Sequence, residues 1–244
     1  MRAGFLDVVF PRRCAGCARG GWPFCPDCAS SLTPLAPPWC ARCGLPWPRP
    51  CDACPRCPPA ELDGARAAFL YDGPARRAIH KLKFSGWRGV GAALGRAMAA
   101  TEPPAADAVT WVPLARRRLA ERGYDQAKVL AVAVARELGV PTVRPIRRAV
   151  STGPQAQRSA AERRTAMRGA FAPNGRPCPP RVLLIDDVLT TGATAAACAV
   201  ALRDAGARSV FLLVAGRAAP GATAHAYTRS GLRPGLWLPG DLPR

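Results

Sequence analysis

The sequence predicts an α/β fold, a mainly parallel sheet with helices on both faces, preceded by a small Cys-rich domain. Three observations carry this expectation. Beyond residue 60, short apolar runs alternate with Ala-rich helical stretches, and strand–helix–strand alternation implies parallel strands joined by crossover helices. Nine of the 11 Cys and 12 of the 27 Pro fall in the first 60 residues. With 244 residues, 49% hydrophobic and 21% charged, the chain can bury the core of one mid-sized domain plus a small appendage. The expected division is 1–60 and 61–244.

Each element has a local reason. Strands are expected at Ala67–Tyr71, Val109–Pro113, Val182–Asp186 and Val210–Val214, where apolar residues run without helical periodicity. Helices are expected at Ala75–Lys83, Val90–Ala100, Asp125–Leu138 and Ala193–Ala205, with Gly139, Gly192 and Gly206 at their boundaries. In the Cys-rich part only Pro26–Leu32 has a helical pattern, and the tail from Pro220 carries little pattern of any kind. Apolar stretches such as Val129–Ala135 and Val210–Ala215 fall far short of the roughly 20 residues of a membrane span. Gly4–Phe10 is interrupted by Asp7 and followed by Arg12 and Arg13, unlike a signal peptide, so a cytoplasmic location is expected.

The net charge is +19 with a pI near 10.8, a balance that favours anionic partners such as phosphates, nucleotides or nucleic acid. Only Lys81, Lys83 and Lys128 are lysines in an Arg- and Ala-rich chain, a pattern that biased codon usage also produces.

Cysteine spacing is more specific. Cys14-x2-Cys17 is followed by Cys25-x2-Cys28, and Cys40-x2-Cys43 by Cys51-x2-Cys54, with the same seven-residue gap each time. Each C-x2-C turn aims two sulfurs at one point, and two such turns complete a tetrahedron of thiolates at about 2.3 Å from Zn²⁺. Cys57 makes Cys54-x2-Cys57 an equally legal turn, but the repeat favours Cys51 and Cys54 and leaves Cys57 as the alternative. Paired C-x2-C spacing in a reducing compartment argues against disulfides. A four-cysteine site is closed, so both zinc ions are expected to be structural. Trp22, Trp39 and Trp47 are expected to pack the turns, with base stacking as the alternative.

The strongest signal is the run from Val182 to Thr194. An apolar strand ends in Asp186 and Asp187, then Thr190, Thr191, Gly192, Ala193 and Thr194 form a turn ahead of an Ala-rich helix. A helix N-terminus offers free N–H groups and a partial positive charge to an anion. Hydroxyls add donors, and Gly192 permits close backbone approach. Carboxylates at the C-terminal edge of a parallel strand can accept from sugar hydroxyls or hold water on Mg²⁺. No Walker loop is present.

These residues resemble the phosphoribosyl-pyrophosphate (PRPP) signature of type I phosphoribosyltransferases. The resemblance implies that Asp186 and Asp187 take the ribose hydroxyls, that residues 190–194 take the 5′-phosphate, and that Mg²⁺ accompanies PRPP. Leu70-Tyr-Asp-Gly73, Lys81-Leu-Lys-Phe84, Val112-Pro-Leu114, Arg122-Gly-Tyr-Asp-Gln126 and Thr152-x2-Gln155 precede that turn in order. With the cysteine turns, they make residues 10–217 resemble the ComF family (ComF and GntX-like proteins). That family implies a double zinc ribbon fused to a type I phosphoribosyltransferase-like fold, and in some members a role in DNA uptake and single-stranded DNA handling. Two departures stand out: Tyr124-Asp125 where the family has Phe-Asn, and Ala166 after Arg163 where it has Asn.

The pyrophosphate side is expected in the loop after Val112-Pro-Leu114, where Arg116, Arg117 and Arg122 suit a diphosphate because guanidinium forks bind phosphate oxygens bidentately. Residues 144–168 carry seven Arg and one acid. Thr152, Gln155 and Arg163 are expected in a flexible loop that closes over the reacting centre or contacts nucleic acid. Where purine-salvage transferases carry an acid for the base proton, this chain has Thr190, so no catalytic residue is assigned. Two readings follow. One is PRPP binding in a protein of DNA uptake, with single-stranded DNA and uptake-machinery proteins as partners. The other is an active transferase acting on an unknown nitrogenous acceptor.

Overall fold

A computed structural model describes residues 13–35, 38–47, 49–149 and 169–218. The chain begins with the Cys-rich segment and its one short helix, α1 (Pro26–Ser30). Four strands then build a wholly parallel sheet: β1 (Gly64–Leu70), β2 (Ala108–Trp111), β5 (Arg181–Leu189) and β6 (Ser209–Arg217), in the order β1-β6-β5-β2. A separate antiparallel ribbon pairs β3 (Ile146–Arg148) with β4 (Phe171–Pro173). The helices are α2 (Gly73–Phe84), α3 (Val90–Ala99), α4 (Arg116–Arg122), α5 (Gln126–Leu138) and α6 (Ala193–Asp204).

The sheet divides the core into two layers. On one face α2, α3 and α5 bury Ile79, Leu82, Leu94, Met98 and Leu130 against Leu183 and Ile185. On the other, α6 buries Cys198 and Leu202 against Val182, Leu184 and Leu212, with Ile146 and Phe171 of the small ribbon beside them. Strand side chains alternate between faces, so β5, buried on both, is apolar almost throughout. The helices lie on both faces, as the alternation of apolar runs and Ala-rich stretches predicts.

Besides the unexpected ribbon of β3 and β4, two details differ from the sequence expectation. Residues 116–122 form a helix rather than a loop, with none of its residues buried. β5 continues to Leu189 because Val188 and Leu189 stay in register with Gly216 and Arg217, so the twin acids lie inside the strand rather than at its tip.

The sheet edges are covered by irregular segments. Pro34 bridges antiparallel to Phe69 on the β1 edge, with Leu35 N donating to Ala68 O and Leu70 N to Thr33 O. Thr142 bridges parallel to Val109 on the β2 edge. Among the described residues no helix is long and apolar enough to cross a membrane.

Candidate functional site

The turn after β5 carries the first group of residues. Gly192 is the N-cap of α6 with φ +80, a left-handed conformation that other residues adopt only at a cost. A Cβ there would also lie 2.9 Å from Pro59 Cδ. The residue must therefore be glycine on both backbone and packing grounds. Thr191 Oγ1 accepts from Ala193 N at 3.4 Å, which folds the turn back on the first amides of α6. Thr190, Thr191, Gly192, Ala193, Thr194 and Asp186 line one small cavity of about 50 Å³.

Asp186 and Asp187 are neighbours on a strand, so their side chains enter different surroundings. Asp186 is half-buried at the small cavity, and its Oδ1 accepts from Asp187 N at 2.8 Å. Burial first, then the Asp187 charge, push its carboxyl up to about 8. Asp187 is 5% exposed on the opposite face, and both its oxygens are engaged. Lys83 Nζ lies 2.7 Å from Oδ1, and Gln126 Nε2 donates to Oδ2 at 3.0 Å. Arg122 Nη1 in turn donates to Gln126 Oε1 at 2.9 Å. A continuous polar chain thus runs from Arg122 through Gln126 and Asp187 to Lys83.

That chain opens on a second cavity of about 630 Å³, walled by Lys83, Arg118, Arg122, Glu121, Tyr71 and Phe84 among others. Of the three Arg expected on the pyrophosphate side, Arg122 lines it. Arg116 and Arg117 do not, and Arg117 pairs with Glu121 on the exposed face of α4 at 2.8 Å. Arg118 and Arg122, four residues apart on one helix face, both reach the cavity, while the Arg117 guanidinium is taken up by Glu121. Phe84 is 60% exposed, with the Arg122 guanidinium 4.6 Å from its ring centre. Thr152, Gln155 and Arg163 lie outside the described residues.

Lys83 and Gln126 are the site residues that sequence reasoning left without a role. Both stand in the quoted motifs Lys81-Leu-Lys-Phe84 and Arg122-Gly-Tyr-Asp-Gln126, but only the fold brings them to Asp187. Asp125 has a local task. It caps α5, accepting from Ala127 N at 3.0 Å and Lys128 N at 3.3 Å, and Leu114 N donates to its other oxygen at 3.3 Å. Burial raises its carboxyl above the usual range, with those N–H groups opposing. Asn and Asp are near-equal N-caps, so Asp125 can do locally what the Asn implied by the resemblance would do.

The cysteines form two clusters. Cys14, Cys17, Cys25 and Cys28 bring their sulfurs within 4.8 Å of one another, as the spacing predicts. The second cluster is Cys40, Cys43, Cys54 and Cys57, so Cys57 takes the place that the repeat gives to Cys51. The reason lies in the backbone. Cys51 bridges parallel to Cys40, with Ala41 N donating to Cys51 O at 2.7 Å and Arg42 N to Asp52 O at 3.1 Å. This pairing takes up the residues around Cys51, and the second turn begins three residues later.

Both clusters fit zinc. The spacings Cys40 Sγ–Cys57 Sγ 3.5 Å, Cys43 Sγ–Cys54 Sγ 3.5 Å and Cys17 Sγ–Cys25 Sγ 3.6 Å approach the roughly 3.8 Å edge of a tetrahedron with bonds of about 2.3 Å. Backbone N–H groups of Gly16 and Cys25 point at Cys14 Sγ and that of Cys54 at Cys57 Sγ, at 3.2–3.3 Å, as suits sulfurs held as thiolates. Four sulfurs leave no position for water, so these sites hold structure rather than perform chemistry.

Comparison with known proteins agrees with this anatomy. Residues 5–58 match the double zinc ribbon domain family. The chain is 31% identical over 200 residues to the DNA utilization protein YhgH of Salmonella typhi, covering 78% of this chain and 88% of that one. It is 28% identical over 208 residues to Competence protein F of Haemophilus influenzae, covering 78% and 84%. Among solved structures, the allosteric regulatory enzyme of purine biosynthesis aligns with 52% of this chain, at 24% identity and a TM-score of 0.37. This chain spans a quarter of that enzyme's length. On the relatives that it matches over most of their length, the chain belongs to the ComF-like family.

Proposed function

We propose that this protein binds PRPP or a related ribose phosphate at the turn after β5, and that its cellular role is the handling of single-stranded DNA during DNA uptake in the cytoplasm, alongside proteins of the uptake machinery. The observation that carries the binding reading is the joint lining of one cavity by Asp186 and residues 190–194 at the N-terminus of α6. The amides there and three Thr hydroxyls suit a phosphate monoester, and Asp186 stands where it can accept from a ribose hydroxyl. The names of the relatives in Salmonella typhi and Haemophilus influenzae support the DNA role, as does the net charge of +19.

Mg²⁺ fits as a passenger of the ligand. It is usually held by one or two carboxylates together with substrate phosphates, and Asp186 is the carboxylate at this cavity whose oxygens are not both engaged among the described residues. Bound there, it would neutralise phosphate charge.

A second reading, an active phosphoribosyltransferase, draws on the 630 Å³ cavity. Lys83, Arg118 and Arg122 give it the cations to hold a diphosphate leaving group, and it adjoins Asp187 through the Lys83 ion pair. The acceptor in that reading is nitrogenous and otherwise undefined.

Calorimetric titration with PRPP, with and without Mg²⁺, tests the binding claim on the wild type and Asp186→Asn. Saturable binding that the variant weakens at least tenfold supports it. Absence of binding by the folded wild type refutes it. For DNA, affinity for a single strand should fall with salt, with a log–log slope of about −0.7 per phosphate contacted. A flat response refutes the DNA role. Release of pyrophosphate on addition of an acceptor would favour the transferase reading.

A further inference from the structure

We propose that four cations of the sheet and its helices are the outer counter-charges of the two four-cysteine centres. Arg77 and Lys81 serve the first, Arg66 and Arg217 the second, so metal loading governs how the Cys-rich segment docks on the sheet.

The first pair comes from α2. Arg77 and Lys81 stand four residues apart on one helix face. Arg77 Nε donates to Gly16 O, and Lys81 Nζ donates to Cys14 O at 3.1 Å. Both acceptors belong to the Cys14–Cys17 turn. The approach is close: a Cβ on Gly16 would lie 2.6 Å from Cys28 Sγ and 3.1 Å from Pro74 Cβ at the start of α2.

The second pair comes from the strands. Arg66 of β1 donates from Nη1 to Ala41 O at 3.0 Å, inside the Cys40–Cys43 turn, and its guanidinium lies 5.0 Å from the Trp39 ring centre. Arg217, the last residue of β6, donates from Nη2 to Arg56 O, inside the Cys54–Cys57 turn. Three of the four cysteine turns thus present a carbonyl to a cation from the transferase-like part.

Arg217 is the telling residue. It is 3% exposed, and its Nε and Nη1 have no hydrogen-bond partner among the described residues. A buried cation with idle donors is costly unless an anion lies close. Zinc bound by four thiolates is a dianion, and the sheet and α2 bring two cations to each centre's turns, in addition to Arg19 beside Cys17 at the first. Outer groups of this kind orient and stabilise metal ligands, and losing one typically costs 10–100-fold in metal affinity. Part of the chain's positive charge thus has a partner inside the molecule.

The test is metal release from the full-length, zinc-loaded protein to a chromogenic chelator, with alkylation of the freed cysteines read by mass spectrometry. Arg217→Gln should loosen one of the two metal equivalents by about 10–100-fold. Its freed cysteines should be Cys40, Cys43, Cys54 and Cys57, with the other equivalent unchanged. Arg77→Gln should do the reverse, freeing Cys14, Cys17, Cys25 and Cys28. Unchanged release in both variants, or equal loosening of both equivalents, overturns the proposal. Should Arg217→Gln fail to fold, Arg66→Gln carries the same test: it should loosen the same equivalent and free the same four cysteines. Hydrogen exchange gives a reading without mutation. Stripping zinc from the wild type should expose amides at 14–17, 41–44 and 54–59 and at the ends of α2 and β6, while mid-β5 stays protected. Protection that is unchanged, or lost uniformly, refutes the docking role. None of these readouts involves PRPP or DNA.

Discussion

Replacing Lys83 with Met should destabilise the fold, and the amount follows from the surroundings of Asp187. The ion pair spans 2.7 Å, with side-chain exposures of 20% for Lys83 and 7% for Asp187. Removing one partner of a buried pair typically costs about 3–5 kcal/mol, because the remaining charge is left uncompensated. Two features reduce that here: Lys83 keeps some contact with the 630 Å³ cavity, and Gln126 still donates to the other carboxylate oxygen. The expected loss is about 2–3 kcal/mol. For a chain of this size that corresponds to a fall in Tm of roughly 4–12 °C. Urea unfolding of zinc-loaded protein, followed by circular dichroism, measures it. The double variant Lys83→Met with Asp187→Asn should recover at least half of the loss, because the stranded charge is gone. A coupling of about 1–3 kcal/mol between the two positions is expected. Should Lys83→Met cost less than about 1 kcal/mol, or the two changes simply add, the pair is not the compensated unit described here.

Three other outcomes follow from the same geometry. Asp186 sits at about 8 when folded, against roughly 3.9 unfolded, so between those values the folded state holds a proton that the unfolded chain lacks, and stability falls as pH rises across that window. Asp186→Asn should remove that slope and gain on the wild type with rising pH, by on the order of 1–3 kcal/mol near pH 8; superimposable pH profiles would contradict the burial argument. Gly192→Ala should lose about 1–3 kcal/mol, from left-handed backbone strain plus the contact with Pro59, and should weaken ribose-phosphate binding more than stability alone accounts for. Unchanged affinity in that variant would detach the turn from the ligand. Cys51→Ser should keep two zinc equivalents by atomic absorption and Cys57→Ser should keep one, and the reverse result would restore the ligand set that the repeat favours.

Much of the fold was legible because its signals are local. The apolar run 182–185 and the Ala-rich stretch after Gly192 announce β5 and α6 by their own composition. The same holds for the first four-cysteine cluster, whose two turns follow one another with no further cysteine between them. The second cluster misled the repeat argument because Cys40 and Cys51 pair through backbone atoms, an interaction that side-chain spacing does not record. Lys83 and Gln126 lay beyond reach for another reason. Their partner, Asp187, is distant in sequence, and only the packing of α2 and α5 on one sheet face joins them. β3 and β4 escaped because three-residue strands leave no periodicity to read.

The irregular segments along both sheet margins bear on how the molecule behaves in a crowd. A parallel sheet left bare at its flanks offers rows of idle amides and carbonyls to any neighbouring chain, the usual opening for ordered self-association. Here Thr33–Leu35 fills one flank and Pro141–Val143 the other, and each belongs to its own chain. Because the first of these shields is the link between the two cysteine clusters, whatever loosens either cluster should also bare β1 and turn a folding lesion into a tendency to aggregate.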